Sequence, residues 1–298
     1  MTHTRPVLTV PPRMAHPAQG GVARLWRQLA SKPLGLLGVI VVALALVAAV
    51  AAPVAAPYDP VQTDFNAVLK SPSTTHWLGT DDLGRDVLSR VLAGAAASLQ
   101  ASLLAVGLAV LIGVPLGLVS GYLGGWFDQV AMRAVDALLA FPALVLALGI
   151  TAALGPSLLN AGIAIGVATM PRFARLVRGM TLSLRTREFV DAARAIGARA
   201  PRILFRHILP NAAAPITVQA SLSIGFAIIA EASLSFLGLG VQPPTPSWGS
   251  MLKVGYAYMD LAPWIAIAPG VAIVLTVLGF MLLADAVNQV LDPGRKRR

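Results

Sequence analysis

Residues 188–210 read EFVDAARAIGARAPRILFRHILP, four arginines gathered between stretches apolar enough to cross a bilayer. Phe189, Ala193 and Ile196 recur at helical spacing, and Glu188, Asp191 and Arg194 stand off that stripe, so a short amphipathic helix is predicted. Gly197 terminates it; Pro201 opens a second short helix at its first turn, and Pro210 ends that one. Leu204 and Ile208 share one face of the second helix, with Arg199, Arg202 and Arg206 on another. From spacing alone such a helix, glycine turn and helix suits two uses: a basic segment lying on anionic lipid, or a surface for a protein partner.

The flanking sequence decides where this unit sits. With 56% hydrophobic and 12% charged residues and a mean hydropathy of +0.74, the 298-residue chain is an integral membrane protein. Apolar runs near the ~20 residues that a helix needs to cross hydrocarbon occur at 34–56, 98–120, 134–153, 157–177, 212–237 and 262–284, predicting an all-α protein of six transmembrane helices. The expected organisation is an N-terminal tail (1–33), a first helix (34–56), an extracytoplasmic loop (57–97), a core of five helices (98–285) holding a cytoplasmic loop at 172–211, and a basic tail (286–298). Of the 23 lysines and arginines, nineteen fall in the two tails, near Arg133 and in the 172–211 loop, against four on the other side, which predicts both termini in the cytoplasm. That partition also accounts for the net charge of +10: the basic residues flank spans with no nucleic-acid recognition motif beside them. VAAPVAAP at 50–57 has the small residues of a signal-peptide cleavage site, yet a 33-residue tail precedes an apolar run longer than a signal core, so an uncleaved first span is expected.

Chemistry is sparse. There is no cysteine, no G-x-x-x-x-G-K-[ST] phosphate loop and no H-E-x-x-H, and the four histidines His3, His16, His76 and His207 are scattered, so no catalytic residue and no metal site is expected. Within the spans, Glu231 is the candidate for a translocation path, an interhelical hydrogen bond being the plainer use of a buried carboxyl; Asp136 and Asp285 read as interfacial. Thr80 is expected to cap a surface helix with Asp81, Asp82 and Asp86 in its first turn and Arg85 and Arg90 exposed, a metal site being the alternative. Gly113, Gly117, Gly121 and Gly125 place small residues on one helix face for close packing, with a second membrane chain as one partner for it.

DAARAIGARAPRILFRHILP resembles the cytoplasmic signature of ATP-binding-cassette importer permeases, Glu-Ala-Ala, three residues, Gly, then a stretch ending in Leu-Pro, with Asp191 in place of the glutamate. HWLGTDDLGRDVLSRVL (76–92), DALLAFPALVLAL (136–148) and AEASLSFLGLGVQPPTPSWGSML (230–252) are similar, in the same order, to permeases of the dipeptide, oligopeptide and nickel group. That resemblance implies the type I importer permease architecture in the bacterial inner membrane. It implies a homologous second permease forming a heterodimer, two ATPase subunits holding ATP and magnesium, and an extracytoplasmic solute-binding protein, with no cofactor in this chain. It implies ATPase coupling through Glu188, Asp191, Ala192, Ala193, Gly197, Ile208, Leu209 and Pro210. The rival reading is a self-sufficient channel or ion-coupled transporter, which inverted repeats or several mid-membrane charges would favour.

Overall fold

The computed structural model describes residues 32–291, and its regular elements are helices. They are α1 (Pro33–Ala55), α2 (Val87–Leu123), α3 (Gly125–Leu139), α4 (Ala143–Leu154), α5 (Leu158–Leu184), α6 (Glu188–Ala195), α7 (Ala200–Ile203), α8 (Leu209–Phe236), α9 (Trp248–Ala257) and α10 (Trp264–Leu291). Among the described residues four stretches are long and apolar enough to cross a membrane: α1, α2, the rod Ala200–Phe236 and α10; the bent pair α3–α4 makes a fifth if counted as one span. The expected straight span at 134–153 is broken by 91° between α3 and α4. Pro142 is the reason, since it disfavours helical geometry at Phe141 and has no amide to donate. The expected fourth span lies inside α5, which three arginines (Arg172, Arg175, Arg178) keep outside that apolar class.

Pro210 does not end a helix. α7, a π turn at Leu204–Ile208 and α8 form one rod, in which the Leu209 amide reaches back to the Leu204 carbonyl. The wider turn just before the proline displaces the carbonyls its ring would otherwise strike. α10 likewise runs to Leu291, past the expected start of the tail at 286. The basic residues 295–298 and the tail before Lys32 lie outside the described residues.

Close helix packing organises the bundle. α2 and α5 run parallel and in step: Gly113 lies against the Met170 carbonyl and Phe173, Gly117 against the Ala174 carbonyl, and Gly121 against the Arg178 carbonyl and Thr181. From the other side Gly162 and Gly166 meet Leu104 and Leu108. The small-residue face of α2 is therefore used within the chain rather than against a second permease, and Gly125, at φ +61°, starts α3 instead of joining that face. Ala105, Ala109, Leu118, Phe173, Val177 and Leu234 form the main core, while Val50, Val54 and Val274 are left on outer faces, as hydrocarbon surroundings allow.

The 57–97 loop departs most from expectation. Thr80 to Asp86 is no helix but a turn closed by a Thr80–Asp86 bridge, and Thr80, Asp81, Arg85, Asp86 and Arg90 are buried rather than exposed. Asp81 pairs with Arg85 at 2.7 Å and with Arg90 at 3.3 Å, and Asp86 caps α2 by accepting from the Ser89 amide. Trp264 donates to the Thr80 carbonyl, tying α10 to this turn, and Trp248 to the Val91 carbonyl, tying α9 to the start of α2. Hydropathy counts each of those charges as surface; pairing lets them be buried.

Candidate functional site

α5 ends at Leu184 and the chain turns into α6 beneath the end of α2. Arg185 donates to the Gly121 and Tyr122 carbonyls at 3.0 and 3.3 Å, satisfying groups that the last turn of α2 leaves open. Glu188 and Asp191 lie in the first turn of α6 and Arg194 in its last, the arrangement the helix dipole favours. Arg194 also pairs with Asp191 at 3.1 Å and stands over the Tyr122 ring at 5.6 Å. Such exposed contacts contribute at most about 1 kcal/mol each.

Gly197 closes α6 at φ +80°, with its amide on the Arg194 carbonyl and that of Ala198 on the Ala193 carbonyl. A Cβ at 197 would meet nothing within 4 Å, so the backbone angle, not space, requires glycine here.

Anchorage comes from Val190 and Ala193 on α6 and from Ile203, Leu204 and Ile208 beyond the turn, all buried in the same core as Leu118, Phe173 and Val177. The predicted stripe therefore divides. Ala193 faces the chain's own core, whereas Phe189 (39% exposed) and Ile196 (86%) point outward, and Val190 takes the inner place. Two apolar faces overlap on so short a helix, and spacing does not say which one the chain covers itself. Leu204 and Ile208 do share a buried face. The sequence-predicted coupling residues fall into two groups: Glu188, Asp191, Ala192, Gly197 and Pro210 on the surface, and Ala193 and Ile208 inside, with Leu209 between.

Glu231 is remote from that unit. It is 1% exposed on α8, accepts from Ser235 Oγ at 2.6 Å and has Ser98 and Ser247 beside it; Oε2 has no protein partner. The carboxyl sits where α2, α8 and the start of α9 meet, on no open surface. The sequence reading missed the ion pairs of α5: Arg178 makes a two-point pair with Asp128 at 2.6 Å, and Arg175 pairs with Asp136. Three arginines at a spacing of three, preceded by two aspartates two turns apart, carry that signal, which a count of basic residues by loop does not use.

Residues 113–297 match the family described as binding-protein-dependent transport system inner membrane component, and residues 22–72 match the N-terminal TM domain of oligopeptide transport permease C. The dipeptide transport system permease protein DppC of Alkalihalophilus pseudofirmus is 44% identical over 299 residues, 99% of this chain and 98% of that protein. The glutathione transport system permease protein GsiD of Shigella flexneri is 47% identical over 269 residues, covering 90% and 89% of the two chains. A chain of the MetNI methionine ABC transporter, solved in inward-facing conformations, shares the fold with a TM-score of 0.55 at 20% identity, over 69% of this chain and 97% of that one. With so much of the chain aligned to them, the protein belongs to the binding-protein-dependent inner-membrane components, as a peptide-type permease of the bacterial ATP-binding-cassette importers.

Proposed function

We propose that this chain is one of two homologous permeases in an ATP-driven importer of short peptides, and that α6 with its glycine turn is the element seated on a separate ATPase subunit. One observation carries the reading: α6 is fixed from inside by Val190 and Ala193 while Phe189 and Ile196 are left uncovered beside it. A lipid-lying segment needs no such anchorage. Because Val190, Ala193, Ile203 and Ile208 share a core with Phe173 and Val177, displacement of α6 by a closing ATPase pair moves α2, α5 and α8 as packed elements. Two ATPase subunits hold the ATP and magnesium, and an extracytoplasmic binding protein delivers the solute. The relatives' names point to dipeptides and glutathione, which share a short peptide backbone and free carboxylates.

In this reading α5 is a sixth span beside α1, α2, the bent α3–α4 pair, the Ala200–Phe236 rod and α10, and both termini are cytoplasmic. The parallel, in-step packing of α5 on α2 supports the same depth for both. The nineteen-to-four partition of basic residues supports the orientation.

Ile196→Asp tests the seat. The side chain is exposed in the isolated chain, so insertion and protein level are expected to match wild type, whereas an unpaired charge buried at the partner should cut ATPase retention during purification by about tenfold or more. Full retention with normal ATP-dependent uptake would remove the assignment. Uptake by the purified chain alone, driven by an ion gradient, would favour the self-sufficient transporter instead.

A further inference from the structure

Three arginines follow one another on α5, and two have acids on α3: Asp136 for Arg175 and Asp128 for Arg178. Among the described residues no acidic side chain pairs with the third, Arg172. Its guanidinium lies 5.9 Å over the half-exposed ring of Phe226 on α8. Both side chains line a cleft of about 190 Å³ between α4, α5 and α8, whose other walls include Ala147, Thr169, Ala230 and Ser233.

Depth makes the cation unusual. α5 is in step with α2, and the Met170–Phe173 level lies against Gly113, inside the apolar run 98–120 of that helix. An arginine at hydrocarbon depth is costly when it faces lipid, so such residues turn to a bundle interior or a watered path and meet a counter-charge there. The cleft supplies apolar walls and two hydroxyl-bearing residues but no negative charge. What completes it is a carboxylate brought from outside the chain, for which a planar guanidinium is the matching fork.

We propose that Arg172 is a carboxylate-binding station on this chain's half of the translocation path, holding the terminal carboxylate of a passing short peptide while its backbone lies along Phe226 and the small side chains opposite. The inference rests on the peptide-importer reading above and adds a place for the solute inside the membrane. It also separates Arg172 from Glu231, whose carboxyl is enclosed by its own helices.

The chain has no cysteine, so a single reporter thiol can be placed in the cleft. In the assembled transporter, with cysteine-free partner subunits, Thr169→Cys is treated with an anionic and with a cationic methanethiosulfonate reagent. The anionic reagent should react about fivefold or more faster than the cationic one, and Arg172→Met should remove that preference. A free dipeptide should slow the anionic reaction, while the same dipeptide with an amidated C-terminus should not. Ser233→Cys, on the facing wall, repeats the test if Thr169→Cys lowers the protein level. Dipeptide uptake should fall about tenfold in Arg172→Met and be only partly restored by Arg172→Lys, which keeps the charge without the fork, with the second permease and the ATPases still co-purifying.

No labelling by either reagent would place the cleft against lipid, and equal labelling would mean that a partner subunit's acid already neutralises Arg172; each overturns the proposal. So does charge-selective labelling that free dipeptide leaves unchanged, or loss of the second permease from Arg172→Met. Wild-type transporter that takes up no peptide would overturn the reading beneath it, and the reagent preference, which needs no transport, tells the two failures apart.

Discussion

Gly117→Val should destroy the packing of α2 on α5, and its effect should be among the largest of any single change outside the 57–97 loop. A Cβ at this position would stand 2.4 Å from the Ala174 carbonyl and 2.9 Å from the Arg178 amide, both main chain and unable to rotate away. The helices must separate, and the contacts at Gly113 and Gly121 one turn either side loosen with them. Overpacking in a fitted interior costs about 1–3 kcal/mol, and a main-chain collision on two sides belongs at the top of that range. Membrane helices have little hydrophobic drive to re-associate, so lost close packing is not recovered elsewhere. In detergent the thermal midpoint should fall by about 6–12 °C, from roughly 2–4 °C per kcal/mol for a chain of this size class. Gly107→Val, on the same helix with nothing within 4 Å of the added carbon, is the control and should shift the midpoint by less than about 3 °C. Equal stability of the two variants would contradict the packing described.

The second large effect is expected from Asp81→Ala. Its carboxylate accepts from the Leu83 and Arg85 amides at 3.0 and 2.9 Å and holds Arg85 and Arg90 through one oxygen, with all three side chains buried. Removing it leaves Arg85 with only its 3.3 Å contact to Asp82 and Arg90 with only the Pro60 carbonyl, and breaking a buried pair in this way costs about 3–5 kcal/mol. Asp82→Ala removes a partly buried contact at 3.3 Å while leaving the shorter Asp81–Arg85 pair in place, and should cost about 1 kcal/mol or less. Limited proteolysis should cut 57–86 readily in Asp81→Ala and no faster than wild type in Asp82→Ala. Resistance of both variants would mean that the loop is held by Trp248 and Trp264 rather than by its charges.

These two sites mark what hydropathy can and cannot read. α1, α10 and the apolar parts of α2 and the Ala200–Phe236 rod were legible because each buries or exposes uninterrupted apolar residues over the thickness of a bilayer. α5 was only half legible: its arginines look like a loop until Asp128 and Asp136 are brought beside two of them. The 57–97 loop was misread because its polar residues satisfy one another, a property of pairs that no single-residue scale contains. In residues 188–210 the turn at Gly197 and the shared face of Leu204 and Ile208 followed from spacing. The choice between Val190 and Phe189 as the inner residue did not, since it depends on where the ends of α2 and α5 lie, and those come from contacts distant in sequence. The π turn before Pro210 was likewise invisible, because a proline preceded by a wider turn leaves the same residues in the same order as one that ends a helix.

The most direct test of the account is cross-linking from position 196 in the assembled transporter. Ile196→Cys introduces the only thiol of this chain. A short thiol-to-amine reagent should join it to the ATPase subunit in high yield. The same reagent should leave Val190→Cys unjoined, because that side chain is buried against its own core. Failure of position 196 to join the ATPase, in complexes that retain that subunit, would contradict the assignment of α6 as the coupling helix.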